Sequence, residues 1–318
     1  MDDDEEKVRD VMEYTQQLRS SFNAIYKIQS LATDDHEVEK RLKRLLTPGT
    51  FGNFYPLLIA SWIKYNDGTY SPSEYAELLD RIETFIFRVY SATQRTTRTG
   101  RRKFYDLARD IHLHNLTPSE AVEKMDQHIN YYCDDDKLLD DLQDNNVFNH
   151  YGSNRKDDLR YLLYFYELDL EEDEENLNLD FEDTVKNTHE EHKITVEHIW
   201  PRDPSELNLT EDEIATQHNA NKHRLGNLAL MTWSWNSGEQ NQPFDSKRST
   251  YLDSNIRMLN EVADTVKRDE WGSPGWDEDE WGVEQIERRE EKIIDFILER
   301  WPDPHSKEPR SLLEAETN

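Results

Sequence analysis

The chain has 318 residues and a formal net charge of −30, with 38 Lys and Arg against 68 Asp and Glu. Only 35% of the residues are hydrophobic, but 11% are aromatic, so we expect a folded protein with a very acidic surface. No apolar stretch approaches the length of a membrane-spanning helix. The acidic residues 1–6 are unlike a signal peptide, and the single Cys133 excludes a disulfide framework or a Cys-rich zinc site. We therefore expect a cytoplasmic protein.

The acidity has two interpretations. Acidic residues are spread along nearly the whole chain and Arg outnumbers Lys, a composition that resembles haloarchaeal proteins adapted to high internal salt. Alternatively, a net charge of −30 simply repels nucleic acid, unless salt screens the charge or basic residues cluster locally. On the first interpretation, the net charge says little about binding partners.

Helical signals dominate the N-terminal half. Apolar residues recur at three- and four-residue steps over 8–46, and a second apolar helix is predicted at Tyr55–Tyr65. Ser71–Glu74 and Thr117–Glu120 have the sequence of a helix start, with a hydroxyl cap, a proline and a glutamate. A further helix is predicted at Asp157–Leu170. The pattern predicts a helical bundle over residues 1–170.

The pattern changes after an acidic segment at 171–191, which we interpret as a solvated connector. His192–Trp200 is a short β-branched run that ends at Pro201, and Leu225–Trp235 contains a second apolar run. Helical patterns follow at Asp245–Leu259 and Val283–Trp301. The protein is therefore predicted to be mainly α-helical, with a second domain over residues 192–318.

The sequence Glu197-His198 at the end of the first β-branched run combines a carboxylate with an imidazole. Such a pair offers a metal ligand and a general base, although neighbouring side chains on a strand face opposite ways unless the backbone bends. Pro201 is consistent with such a bend. Asn227 could hydrogen-bond the backbone of a loop, and Asn236 could complete the oxygen coordination that Mg²⁺ prefers.

These residues resemble the HNH (ββα-metal) nuclease motif, and more narrowly the C-terminal HNH domain of GmrSD-type, type IV restriction endonucleases. The resemblance rests on Glu197-His198-Ile199 with Pro201, then on Leu225–Leu230, Asn236 and Phe244–Lys247, in matching order. The close match covers about residues 190–255. It implies a small ββα unit after the helical region, with C-terminal helices behind it.

The resemblance also implies roles. His198 would be the general base and Asn227 the residue that fixes the loop around it, while Glu197 and Asn236 would hold Mg²⁺ or Mn²⁺. Lys247 would contact nucleic acid. Apart from the resemblance, His223 lies between the two halves of the motif, where it could contact a phosphate or have a role in the loop. The last histidine of the HNH motif is replaced here by Asn236.

The implied activity is metal-dependent hydrolysis of DNA, in restriction or in defence against foreign or modified DNA. The ParB-like nucleotide-hydrolysing module usual in the family is absent from this chain. The chain is therefore expected to be either half of a split system, with a separately encoded ParB-like subunit as its partner, or a fragment. The alternative is a catalytically silent helical scaffold that binds DNA or such a subunit. No membrane partner is expected.

A basic cluster stands out because no acid lies between Thr84 and Tyr105. The cluster consists of Arg95, Arg98, Arg101, Arg102 and Lys103. In so acidic a chain it is a candidate for phosphate contacts. A helix-capping or interface role is the other interpretation.

Two further patterns favour structural interpretations. His189-Glu190-Glu191-His192 lacks the i, i+4 histidine spacing of a zinc protease, so we interpret it as a solvated charged run. The tryptophans at 233, 235, 271, 276 and 281 could stack on bases, but core packing is the simpler interpretation.

Overall fold

The computed structural model describes residues 3–152, 155–171, 179–187, 193–235, 241–269, 271, 277 and 279–306, with side chains from residue 7 onward. Helices make up most of this part of the chain, which confirms the mainly α-helical prediction. Two compact units are present. Unit 1 comprises 1–90, 94–134 and 303–305, and unit 2 comprises 91–93, 135–302 and 306–318.

Unit 1 is built from helices, of which those starting at Tyr55, Pro72 and Pro118 begin where the sequence predicts, whereas the stretch predicted at 8–46 forms two helices. Its α-helices are Asp3–Gln29, His36–Leu46, Tyr55–Asn66, Pro72–Phe85, Arg101–His114 and Pro118–Tyr132, and a π-helical stretch, Ile86–Ala92, continues the fourth of them. Ser71 with Glu74 and Thr117 with Glu120 form complete capping boxes. Each box satisfies backbone N–H groups that the first helical turn leaves unpaired.

An aromatic core holds unit 1 together. The rings of Phe54 and Phe104 stack at 4.1 Å, and Phe85 meets Phe104 edge to face at 4.8 Å. The first helix differs from the sequence expectation, since Val11 and Phe22 on its periodic apolar face remain 65% and 68% exposed. Periodicity therefore indicated a helix here, but it showed neither the end of the helix at Gln29 nor the side that it buries.

Unit 2 contains a two-stranded antiparallel sheet among helices. Strand β1 is Ile194–His198 and β2 is Leu228–Thr232, with Glu197 opposite Ala229 and His198 opposite Leu228. The helices are Asp135–Leu142, Val147–His150, Lys156–Leu170, Phe181–Lys186, Glu211–Glu213, Asn219–Asn221, Phe244–Leu252, Arg257–Ala263, Thr265–Asp269 and Val283–Arg300, with a π-helical stretch at Ile214–His218. The helix Phe244–Leu252 comes after both strands in the chain, and the ββα arrangement itself stays a prediction.

The helix Lys156–Leu170, here called the core helix, is buried along most of its length. Its Glu167 caps the helix Arg257–Ala263 by accepting hydrogen bonds from the backbone N–H groups of Arg257, at 2.6 Å, and Met258, at 2.8 Å. Met258 in turn contacts β2, because its sulfur accepts the N–H of Leu230 at 2.9 Å. The core helix is thereby tied to the sheet.

The helix Val283–Arg300, here called the C-terminal helix, packs directly on the segment Leu225–Asn227. A Cβ atom on Gly226 would lie 1.9 Å from the carbonyl oxygen of Ile286. The buried Arg289 donates from Nη1 to the carbonyl oxygens of Gly226 and Leu228, both at 2.8 Å. Only glycine permits this close approach of two backbones.

The units divide near residue 134, whereas the sequence placed the boundary at 170. The core helix belongs with the strands because its buried face contacts the helix that packs on β2. The expected connector at 171–191 is also partly structured. Phe181–Lys186 forms a helix whose Thr184 and Val185 carbonyls accept hydrogen bonds from Arg160 Nε, both at 3.0 Å.

No helix in the described part of the chain is both long and apolar enough to cross a membrane.

Candidate active site

Glu197 and His198 lie at the end of β1, and both side chains are buried, with exposed fractions of 2% and 5%. Successive strand residues point to opposite faces, and the two side chains accordingly have different partners. Glu197 is bound by the helix Phe244–Leu252, here called the Lys247 helix, while His198 contacts His223 and Phe148. The pair therefore presents one acidic and one imidazole group at a single strand end.

The carboxylate of Glu197 is held by two groups of the Lys247 helix. Lys247 Nζ lies 2.5 Å from Oε1, and the hydroxyl of Tyr251 donates to the same oxygen at 2.8 Å. The four-residue spacing puts Lys247 and Tyr251 on one helix face. Lys247 is fully buried and also donates to the carbonyl oxygen of His198 at 3.0 Å. This burial does not fit the phosphate contact expected of Lys247 from the sequence.

His198 and His223 form an imidazole pair, with Nε2 of His198 3.2 Å from Nδ1 of His223. Phe148 encloses the pair, since its ring meets His198 edge to face at 4.4 Å and stacks on His223 at 5.6 Å. Burial lowers the pKa of His198 well below its usual value, and the nearby His223 and Arg202 add to the effect. Burial and Lys222 lower the pKa of His223 to about 4. Both imidazoles are neutral at pH 7.

Asn227 braces the loop that follows His198. Its Oδ1 accepts the backbone N–H of Trp200 at 2.7 Å and the indole N–H of Trp281 at 3.1 Å. Its Nδ2 donates to the carbonyl oxygens of Trp200 and Lys222, both at 2.9 Å. Asn227 is fully buried, so the amide connects two stretches of loop that flank the imidazole pair.

A pocket of about 250 Å³ opens at this strand end. It is lined by Phe148, Thr195, Val196, Glu197, His198, Arg202, Trp233 and Asn241. Trp233 is 50% exposed and Trp235 39% exposed, so core packing is not their role here. Trp271 and Trp281 are buried, as expected of core residues.

The pocket offers oxygen donors of the kind that Mg²⁺ prefers. Lys247 and Tyr251 both bind Oε1 of Glu197, and no described residue hydrogen-bonds Oε2. The amide of Asn241 borders the same pocket. The described residues contain no group of three or more His, Cys, Asp or Glu side chains that could hold a metal, so water would supply most of the ligands. Asn236, the expected second ligand, lies outside the described residues, as does the run 189–192.

The basic cluster predicted at Arg95, Arg98, Arg101 and Arg102 lies in unit 1. All four side chains are exposed, on a loop and the first turn of the helix Arg101–His114. Arg102 Nε lies 3.8 Å from Asp106. The loop is ordered by a hydrogen bond from the hydroxyl of Tyr90 to the carbonyl oxygen of Thr99, at 2.7 Å.

A comparison with protein families decides the classification of the chain. Residues 132–296 match the C-terminal domain of GmrSD restriction endonucleases. The chain belongs to this family. The GmrSD C-terminal domain begins close to the start of unit 2 and includes the core helix, both strands and most of the C-terminal helix. The resemblance to the C-terminal domain of GmrSD restriction endonucleases is thus confirmed. A search of curated proteins finds no match.

Sequence reasoning missed four residues of this site. Phe148, Lys156, Arg202 and Asn241 border the pocket or the imidazole pair. Arg202 follows His198 closely in the sequence and could have been noticed from that spacing. Phe148 and Lys156 are far from His198 in sequence and come from helices assigned to another domain, so no local pattern identifies them.

Proposed function

We propose that this GmrSD C-terminal domain is an HNH-type, metal-dependent endonuclease that hydrolyses phosphodiester bonds in DNA. The observation that carries the proposal is the placement of His198 and Glu197 in one pocket at the end of β1, within the region that matches a restriction endonuclease family. Restriction of foreign or modified DNA is the proposed biological role, in the cytoplasm.

His198 is the proposed general base. When its Nε2–H donates to Nδ1 of His223, the lone pair on its own Nδ1 is available to a water molecule. The water oxygen would then attack phosphorus while its proton passes to His198, and the bond from phosphorus to the leaving oxygen breaks. Asn227 supports this step by fixing the backbone on both sides of the pair.

Glu197 and Asn236 are the proposed ligands of Mg²⁺ or Mn²⁺. When bound, the ion would neutralise charge on the phosphate and on the leaving oxygen. The chain's contribution is to hold Oε1 of Glu197 with Lys247 and Tyr251, so that Oε2 faces a fixed direction.

One specific observation favours the alternative of a silent scaffold. Lys247 places a positive charge 2.5 Å from the carboxylate that would bind the metal, and an ammonium there competes with a cation. In that case the domain would bind DNA, or a separately encoded ParB-like subunit, without cleaving it.

Cleavage assays on plain and modified plasmid separate these proposals. Purified full-length protein is incubated with Mg²⁺, Mn²⁺ or EDTA in buffers of increasing KCl. We expect cleavage with either metal and none with EDTA. His198→Ala should reduce the rate by about 10²–10⁴-fold, as is typical when a general base is lost, and Asn236→Ala should raise the metal concentration needed for half-maximal activity.

His150→Ala is the matched control, because His150 lies in the same unit with a half-exposed side chain beside Asp144. It should cleave at the wild-type rate. A His198→Ala protein that is folded and cleaves as fast as wild type would refute the role of His198. A wild-type protein that binds DNA but cleaves it under no condition would favour the scaffold.

A further inference from the structure

Two cations beside the imidazole pair have no acidic partner in the part of the chain that the structure describes. Neither Lys156 nor Arg202 has a carboxylate oxygen within 4 Å in the described residues, although the chain has 68 acidic residues and many of its other cations are paired. In such a chain the two stand out. Glu197 borders the same pocket, but it is bound by Lys247 and not by these two cations. Positive charges brought together without direct acidic partners are typical of an anion site.

Lys156 is held in place by Phe148. Its Nζ donates to the carbonyl oxygen of Phe148 at 2.7 Å and lies 3.0 Å from the centroid of the Phe148 ring. The same residue fixes the imidazole pair, since its N–H donates to the carbonyl oxygen of His223 at 3.0 Å and its ring meets His198. The ammonium group is thus fixed one aromatic ring away from His198.

Holding a charge there has a cost. Burial, with the positive charges of Arg202 and Arg160, lowers the pKa of Lys156 to about 8. A lysine whose only task was packing would be better replaced by an apolar residue, because a desolvated ammonium without a counter-ion is unfavourable. The structure thus retains a cation whose described partners, a carbonyl oxygen and an aromatic ring, carry no net negative charge.

Arg202 contributes to the site from the segment just after the end of β1. It is exposed, follows Pro201, and lines the pocket together with Glu197 and His198. Its backbone is fixed because the carbonyl oxygen of Pro201 is 2.8 Å from Nε2 of the buried His218. A guanidinium can bind two oxygens of one phosphate at once, whereas the ammonium of Lys156 acts as a point charge.

We propose that Arg202 and Lys156 form a phosphate-binding pair that holds the DNA backbone beside His198. The inference rests on the proposed function and adds the residues that position the substrate. Neither residue takes part in proton transfer. Their role is to counter the −30 charge of the chain at the one place where the DNA backbone must come close.

The salt dependence of DNA binding tests the pair, because each cation that contacts a phosphate releases counter-ions when it binds. Binding of a short duplex is measured by fluorescence anisotropy over a series of KCl concentrations, with Mg²⁺ present and full-length His198→Ala as the background that prevents cleavage. Arg202→Gln and Lys156→Met are added to this background. Each should reduce the slope of log K against log salt by about 0.9. Adding both should reduce it by about twice that amount.

Lys267→Met is the matched control, because Lys267 is a half-buried lysine of the same unit that does not line the pocket. It should leave the slope unchanged. Lys156→Arg keeps the charge and should retain the wild-type slope, which separates the loss of a phosphate contact from a loss of folding.

The outcomes are distinguishable from those of the proposed function. If the wild type cleaves DNA but neither variant changes the slope, the phosphate-binding pair is refuted and the nuclease proposal survives. If the slope falls as expected but no condition yields cleavage, the pair stands and the nuclease proposal fails. The proposed pair would also be refuted if Lys267→Met reduced the slope as much as Arg202→Gln or Lys156→Met does, or if DNA did not bind at any salt concentration.

Discussion

At the scale of single residues, the contact between Glu197 and Lys247 is the feature most open to measurement. Both side chains are almost completely buried, and their charged atoms lie 2.5 Å apart. Removing one partner of such a pair leaves a charge without compensation in a low-dielectric surrounding. Removing both leaves none. Loss of both partners should therefore destabilise the protein less than loss of Lys247 alone, whereas a simple loss of contacts would predict the reverse.

Lys247→Met should lower the free energy of unfolding by about 3–5 kcal/mol. The double variant Glu197→Gln, Lys247→Met should be more stable than Lys247→Met alone, since the unpaired carboxylate is gone. Urea unfolding followed by circular dichroism measures both. Lys186→Met is the control, because its pair with Glu182 is about half exposed and should contribute less than about 0.5 kcal/mol. A double variant less stable than Lys247→Met would contradict this account.

At the scale of elements, the C-terminal helix and the segment Leu225–Asn227 form one structural piece. Gly226 permits the backbone contact, and Arg289 fastens the carbonyl groups on either side of Asn227. Asn227 in turn braces the loop after His198. A helix near the end of the chain thus determines where the candidate base lies, although none of its residues lines the pocket.

Gly226→Ala should destabilise the protein by about 3 kcal/mol, because the new methyl group would overlap the backbone of Ile286 and the helix must shift. Gly52→Ala is the matched control, since a Cβ at Gly52 meets nothing within 4 Å, and its effect should be below about 0.5 kcal/mol. Thermal unfolding of the two variants gives the comparison. Equal melting temperatures would show that the helix adapts without cost.

The elements also show what the sequence could predict. The capping boxes at Ser71 and Thr117 were readable because cap, proline and glutamate are neighbours in sequence. The two segments that contain β1 and β2 were readable from their apolar runs. The contacts of Lys247 with Glu197 and of Phe148 with His198 could not be predicted from the sequence, because each joins residues about 50 positions apart. Hydrophobic periodicity contains no information about such pairings.

At the scale of the whole molecule, the net charge of −30 acts against the folded state, which crowds the negative charges together. Salt shortens the range of this repulsion from about 10 Å at 0.1 M to about 3 Å at 1 M. Salt also weakens the exposed ion pairs, but acidic groups exceed basic groups by 30. The gain in stability from screened repulsion should therefore exceed the loss from weakened ion pairs when salt is added.

The urea midpoint of unfolding should accordingly rise between 0.1 M and 1 M KCl, with most of the gain at the lower concentrations. An unchanged slope of free energy against urea would show that only stability has changed. Sucrose at the same osmolarity is the control for exclusion of a solute from the protein surface. At the lower concentrations sucrose should raise the urea midpoint less than KCl does. A midpoint that falls with KCl would mean that ion pairs outweigh the net charge.

The division of the chain between the two units has a consequence for how the protein is made. Unit 1 includes Asp303, which accepts a hydrogen bond from Asn130 at 2.7 Å, yet residues 135–302 of unit 2 are translated between them. At about 5–20 residues per second, ribosomes need roughly 10–30 s for that stretch. Throughout that interval the newly synthesised part of unit 1 lacks residues 303–305 and the hydrogen bond from Asn130 to Asp303. A chain whose synthesis stops within residues 135–302 would keep unit 1 in that incomplete state.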